Sequence, residues 1–502
     1  MLKLKERKAS IHPIKSKLKI SILSDEEIEG INQTALNILE DVGFVMPSEK
    51  ALKILADAGA DVDFDKQLVK LPGQLVIDSL KTAPSQYTLH GRRPELDAAI
   101  GAGEGTYFYC SGESPRIVDM KTGERRLSVK SDVEQMAKIA DYLSIVSLVW
   151  PTVSAIDRGE SAPIHGLEAC FTNTEKHVQT ESVMDEISAR YAIEMASVIA
   201  GGRDRLRERP LHSFLLCAIQ PLAHDKGGIE GALAYAEAGL PVGIMSMPTL
   251  GLTSPPYSAG SLAMALAEVL SGCVLIQIAY PGTPNFVSII PSIIHPRTGN
   301  YFMGSSTAQI TSAACVELAH SNGLPITSCM SFGGSQYKLN NWQAGIENFY
   351  AHLLTVMAGA DMSFGPSGMI EAVSLLDMRR ILYDREIFQA IDIITDGFEV
   401  NTNTLAFDMI REVGPRGMFL TQRRTAIELP KLWPQSILFE EPEKKDEEKY
   451  KDSFKVAHES IEWILNNHQP EPLPAEISRE IKKIVAAADQ DEQLKRKVRG
   501  HR

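Results

Sequence analysis

The chain has 502 residues, 44% of them apolar and 23% charged, with a formal net charge of −13. Such a composition suits a soluble globular protein with a large core, and its acidity argues against a general nucleic-acid binder, which needs a basic surface. The basic first twenty residues lack the apolar stretch of a secretory signal, and no segment reads as a membrane span free of proline, glycine clusters or charge. Six scattered cysteines without a CxxC or CxxH pairing read as free thiols of a cytoplasmic protein.

Residues 25 to 100 read mainly as helix. Ser24-Asp25-Glu26-Glu27 starts one, and Ile28, Ile31, Ala35, Ile38 and Leu39 recur at helical spacing. Met46-Pro47-Ser48 opens a second. Asp61, Asp63 and Asp65 resemble the start of a calcium loop, but Lys66 and Pro72 stand where such a loop needs glycine and glutamate. A solvated turn is the reading there.

From about residue 105 short apolar runs alternate with amphipathic helices. Eight strands are predicted: 106–110, 146–153, 177–181, 211–219, 241–247, 285–290, 325–330 and 361–364. A β-ribbon around Lys121-Thr122-Gly123 follows the first. Several helices end in glycine just before the next strand (AEAGLPVGIM, HSNGLPITSC, VMAGADMSFG). The pattern predicts an α/β fold, a (β/α)8 TIM barrel with N-terminal and C-terminal helical extensions. The expected division is 1–104, 105–400 and 401–502. A doubly wound sheet is the alternative, but the glycine run 101–105 precedes a strand instead of joining strand to helix. Beyond 400 the chain is helical again, with a charged stretch at 440–454 read as a solvated helical face.

In such a barrel the chemistry belongs at the carboxyl ends of the strands. Those ends hold no His-x-His or His-x-Cys pattern and no carboxylate cluster suited to a catalytic metal, so no metal site is expected. No lysine stands at a strand end for a Schiff base, and Lys338 lies past the seventh. Glu181 and Asp157 are the acids there. Asp157 adjoins Arg158 and reads as an ion pair, while Glu181 is divided between site and scaffold. Tyr109, Trp150, Phe286, Phe332 and Phe364 lie on or near strand ends. Singly each reads as core; together they suit a box for a cation, whose attraction to a ring face is worth roughly 0.5 to 2 kcal/mol. Arg297, after the sixth strand, offers a carboxylate clamp or is a plain surface residue.

The run SCMSFGGSQYKLNNWQAGIENFYAHLLTVMAGADMSFGPSGM, with PRTGNYFMGS, IREVGPRGMFL, VDMKTGERRL and MASVIAGGRDRLRERP, resembles the trimethylamine methyltransferase family over roughly residues 25 to 435. The resemblance implies a (β/α)8 barrel that moves a methyl group from an amine to cobalt(I) of a corrinoid carried on a separate protein, with no tightly bound cofactor of its own. Founding members carry pyrrolysine in the loop after the seventh strand. Here that segment is Phe332-Gly333-Gly334-Ser335-Gln336, which implies the branch acting on quaternary amines such as glycine betaine, proline betaine or carnitine.

A quaternary ammonium leaves as a neutral amine and needs no proton or metal to activate it. The protein has to align and desolvate it. Gly333, Gly334 and Ser335 are then the candidates at the reaction locus, their small size admitting a corrinoid face, with Glu181 beside them. Phe332, Ser331, Gln220, Tyr109, Phe364 and Trp150 are candidates for holding substrate, with Arg297 on its carboxylate. The partners expected are a small quaternary amine, a corrinoid protein and further copies of the chain, with neither nucleic acid nor membrane. A lysine-dependent barrel lyase and a non-catalytic betaine binder remain as alternatives.

Overall fold

The computed structural model describes residues 4–110, 112–181, 185–328, 342–432, 436–438 and 452–494. Eight parallel strands close into a barrel: β1 (Tyr107–Tyr109), β2 (Val146–Val149), β3 (His177–Thr180), β4 (His212–Cys217), β5 (Val242–Ser246), β6 (Asn285–Ile289), β7 (Ile326–Ser328) and β8 (Met362–Phe364). Each strand pairs with its sequence neighbours and β8 pairs with β1. All eight expected strands are present, and apart from β7, whose expected end at 329–330 lies outside the described residues, they are shorter than expected because hydrogen-bonded pairing covers less than the apolar run.

The intervening helices owe their bounds to local chemistry. The Asp225 carboxylate accepts from the Gly228 N–H and starts Lys226–Glu237. Gly239 then takes φ +76°, a conformation that costs an L side chain about 1–2 kcal/mol, and the chain turns into β5.

Strand pairing assigns each side chain to the lumen or to the helices. Phe108 packs on His352 and Phe388 of the outer helices, so Tyr107 and Tyr109 point inward. Direct partners share a face, and Met362, Phe364, Thr327, Ser288, Met245 and Cys217 follow by register. The floor is filled. The buried His177 ring meets the Ser213 hydroxyl at 2.8 Å and the His90 carbonyl at 3.1 Å. Above it Phe286 crosses over Gly243, where a Cβ would lie 2.3 Å from the ring and 2.7 Å from Leu215.

One long apolar helix keeps a charged residue, Glu268, within it. Helix Ser258–Ala279 is long and apolar enough to cross a bilayer by length and composition, yet 89% of its apolar window is buried. Helices Asp25–Asn37, Glu49–Asp57 and Gly73–Leu80 of the N-terminal extension pack against it. A helix apolar on all sides needs such cover. The extension also holds strands. Asp61–Asp63 pairs with Leu68–Lys70, so the aspartate triple starts a hairpin. At the other end, helices Ser453–Asn467 and Ala475–Gln490 lie on the barrel's own helices. His468 Nε2 is 2.8 Å from Asp141, and both are buried.

Candidate active site

Three aromatic rings converge where β1, β2 and β8 end. Tyr109 and Phe364 are direct partners across β1 and β8, with ring centroids 4.9 Å apart. Trp150, just past β2, stacks nearly parallel to Tyr109 at 6.0 Å and lies 6.0 Å from Phe364. The sequence's aromatic candidates Tyr109, Trp150 and Phe364 are thus brought together, each at most 1% exposed.

Polar atoms left over from barrel pairing stand at inward positions of the same barrel. The Tyr109 hydroxyl, Trp150 Nε1, both ends of the Gln179 amide, and the Ser288 and Thr327 hydroxyls are buried without a well-formed hydrogen bond among the described residues. An unsatisfied buried polar group costs about 1–3 kcal/mol, which makes these groups candidates for contact with a polar ligand. Burial first, and then the nearby Glu181 charge, push the Tyr109 phenol well above its usual pKa, against the lowering influence of Thr327.

Glu181 directly follows β3, and its carboxylate accepts from Cys217 Sγ of β4 at 3.3 Å. Burial raises its pKa from 4.5 to about 7, and the Cys217 contact opposes the rise only in part. Burial likewise pushes the Cys217 thiol well above its ordinary range, reinforced by the Glu181 charge. A carboxyl balanced near neutrality becomes a carboxylate when a cation arrives beside it.

Two short sheets frame the mouth. Thr249–Leu250, Ser292–Ile294 and Tyr301–Phe302 form one, beyond β5 and β6. The expected ribbon, Arg116–Val118 with Arg125–Leu127, joins Leu375–Leu376 and Met369–Ile370 in the other. An Arg125–Glu371 ion pair of 2.7 Å ties the ribbon to the loop after β8.

Two candidates fall elsewhere. Arg297 is exposed in the 295–300 turn between Ser292–Ile294 and Tyr301–Phe302, so the expected carboxylate clamp is not assembled among the rings. Gln220 is spent on the scaffold. Its amide donates to the Ala218 carbonyl at 3.0 Å, and it also hydrogen-bonds Glu268 of the outer helix. Asp157 pairs with Arg158 at 3.0 Å and accepts from the Lys130 N–H. Ser331, Phe332, Gly333, Gly334, Ser335 and Lys338 lie outside the described residues. Gln179, Cys217, Ser288 and Thr327 were missed by motif reading. Their signal is a polar residue at an inward position of an otherwise apolar strand, as in NFVSI and HVQT.

Among the described residues no group of three or more His, Cys, Asp or Glu side chains is placed to hold a metal ion. The family described as trimethylamine methyltransferase (MTTB) matches residues 3–492. A trimethylamine methyltransferase MttB of Desulfitobacterium hafniense (strain DSM 10664 / DCB-2) is 33% identical over 471 residues, 93% of this chain and 94% of the relative. A glycine betaine methyltransferase of Desulfitobacterium hafniense (strain Y51) is 29% identical over 476 residues, 93% of this chain and 97% of the relative. The crystal structure of the Methanosarcina barkeri monomethylamine methyltransferase MtmB aligns with 90% of this chain and 96% of its own at a TM-score of 0.44 and 11% identity, too distant to argue from. With its sequence matched from end to end and a closed barrel that gathers aromatic and unsatisfied polar groups below its mouth, the chain belongs to the trimethylamine methyltransferase family.

Proposed function

We propose that the chain demethylates a quaternary amine, glycine betaine foremost, delivering the methyl group to a corrinoid brought by a separate protein. One observation carries the reading: the Tyr109–Trp150–Phe364 triangle stands within electrostatic reach of a half-buried carboxyl, Glu181, whose pKa is raised to about 7. Aromatic faces and one carboxylate suit a trimethylammonium head, which offers positive charge and no hydrogen to donate. The similarity to a glycine betaine methyltransferase supports the same direction, as does a loop of ordinary residues, Phe332 to Gln336.

The electron count is simple. The N–CH3 bond breaks with its pair remaining on nitrogen, giving a neutral tertiary amine, while cobalt(I) supplies the pair for the new bond to carbon. No proton moves. The chain's residues hold the cation on the rings, set Glu181 against its charge and exclude water, which strengthens both interactions. In place of the Arg297 clamp, we assign the substrate carboxylate to the unsatisfied donors of Tyr109, Thr327 and Ser288. Thr327 and Ser288 are direct partners across β6 and β7. Ser331, Phe332, Gly333, Gly334 and Ser335 lie outside the described residues and enter the proposal from the sequence alone, the first two as substrate contacts and the others at the corrinoid face.

The test mixes the protein with cobalt(I) corrinoid, free and protein-bound, and follows methyl–cobalt absorbance with glycine betaine, proline betaine, carnitine, choline and trimethylamine. Turnover with glycine betaine and not trimethylamine supports the reading. Turnover with proline betaine or carnitine alone moves the assignment to that substrate. Binding of a betaine without turnover on any corrinoid protein defeats it.

A further inference from the structure

After helix Arg380–Asp396 the chain leaves the body, and the next buried residues among those described are Ser436, Ile437 and Leu438. No residue from 396 to 432 is buried, although the segment forms helices Thr402–Leu405, Phe407–Val413 and Arg423–Leu432. Apart from the Lys17–Asp396 ion pair and the Gly397 N–H on the Ile394 carbonyl at its root, its hydrogen bonds stay within it among the described residues: Arg424 to the Asn403 carbonyl, Gln422 to Glu412, Arg411 to Asp408. Eleven of the 26 exposed large apolar side chains among the described residues lie in these 36 positions, including Phe398, Val400, Phe407, Met418, Leu420 and Leu432.

Ordering a backbone costs conformational entropy that burial normally offsets. This arm holds a defined shape while burying nothing, so its apolar face is made for a surface outside its own copy. We infer that residues 397–432 form an exchange arm that packs on a second copy of this chain.

Three observations favour another copy over a different partner. The arm supplies 36 residues, and a stable interface takes about 20–30 a side, so two reciprocal arms suffice for a permanent dimer. The arm carries five basic and four acidic side chains, whereas the whole chain stands at −13. It is therefore slightly positive and meets an acidic body. That body has an apolar depression of about 550 Å³ between helices Ser306–Ser321 and Trp342–Ala358, lined by Ile310, Tyr350, Leu353 and Leu354. Ile310 and Ile346 are 42% and 51% exposed on these two helices. The second of them packs against Arg380–Asp396, from which the arm departs. Arm and depression thus occupy neighbouring sectors of the barrel, the arrangement a two-fold exchange needs.

Sedimentation of the full-length protein at micromolar concentration tests this, beside the double variant Phe398→Asp/Leu420→Asp. Both side chains are exposed in the single copy, so the variant keeps the wild-type circular dichroism. A wild-type dimer or larger assembly that the variant reduces to monomer is the expected result. Cross-linking of a 14N/15N mixture should join the arm to helices Ser306–Ser321 or Trp342–Ala358 in mixed-isotope pairs. A monomeric wild type, an assembly indifferent to the variant, or an arm protected only when the corrinoid protein is added would each overturn the inference.

Discussion

The Glu181 carboxylate accepts a hydrogen bond from Cys217 Sγ at 3.3 Å, joining the ends of adjacent strands β3 and β4. Because burial lifts the Glu181 pKa from 4.5 to about 7, the folded state holds a proton that the unfolded state has released across that window. Stability therefore falls as pH rises from about 4.5 to about 7 and is flat above, by on the order of 3 kcal/mol from this group. Urea unfolding at pH 5 and pH 8 measures the slope. Glu181→Gln should remove this group's share of it.

A bound quaternary ammonium reverses the preference by favouring the carboxylate. Affinity for a trimethylammonium ligand should rise with pH up to about 7 and then level off. Binding below that pH should release a proton, visible as a buffer-dependent heat in calorimetry. Glu181→Gln should bind more weakly and lose the pH dependence.

The ring triangle discriminates charge from shape. Phe364→Leu should weaken binding of a trimethylammonium compound by roughly 3- to 10-fold, the loss of one ring face. Its uncharged tert-butyl analogue should lose little. Equal losses for both ligands would reduce the rings to hydrophobic packing. Arg297→Ala, by contrast, should leave betaine affinity within about twofold, since that side chain stands exposed in its turn.

Gly243 permits the crossing of Phe286. Gly243→Ala puts a methyl 2.3 Å from that ring and should cost about 1–3 kcal/mol. Phe286→Leu in the same chain should recover part of it, a coupling that a double-mutant cycle of melting temperatures would register.

Asp141 fastens the C-terminal helices. It accepts from Thr174 Oγ1 and the Glu175 N–H, each at 2.8 Å, and meets His468 Nε2. Burial alone would raise its pKa, but the His468 hydrogen bond and the Lys176 charge outweigh it and hold the carboxyl below its ordinary range. Its contribution is present above about pH 4 and is lost as pH falls through the depressed value. Asp141→Ala should cost about 3–5 kcal/mol by stranding buried partners, read as a lowered melting temperature with early release of Ser453–Asn467 to proteolysis.

The eight strands and their helices were legible because a parallel strand covered on both faces is a short apolar run, and this chain repeats that signal eight times, several of them introduced by a helix-ending glycine. Tyr109, Trp150, Phe364 and Glu181 were legible because a barrel's chemistry sits at its strand ends. The mouth sheets were not. Strands such as Thr249–Leu250 span two residues, too few to show a period. Gln179, Ser288 and Thr327 escaped because which face a strand residue takes depends on register, and register is a property of pairs of strands. Residues 397–432 read like any amphipathic extension, since a sequence records that a face is apolar but not which molecule covers it.

The filled floor of the barrel has a kinetic consequence. With His177, Ser213 and Phe286 filling the far end among the described residues, that end offers no way through, and access to the rings is left to the door at the strands' carboxyl ends. If a carrier protein seats on that door to collect a methyl group, the amine must already be inside, and its demethylated remnant must wait until the carrier departs. Such traffic imposes a compulsory order. Excess carrier should then inhibit by corking the empty site, and the leftover amine should compete with the substrate amine for the free enzyme instead of competing with the carrier.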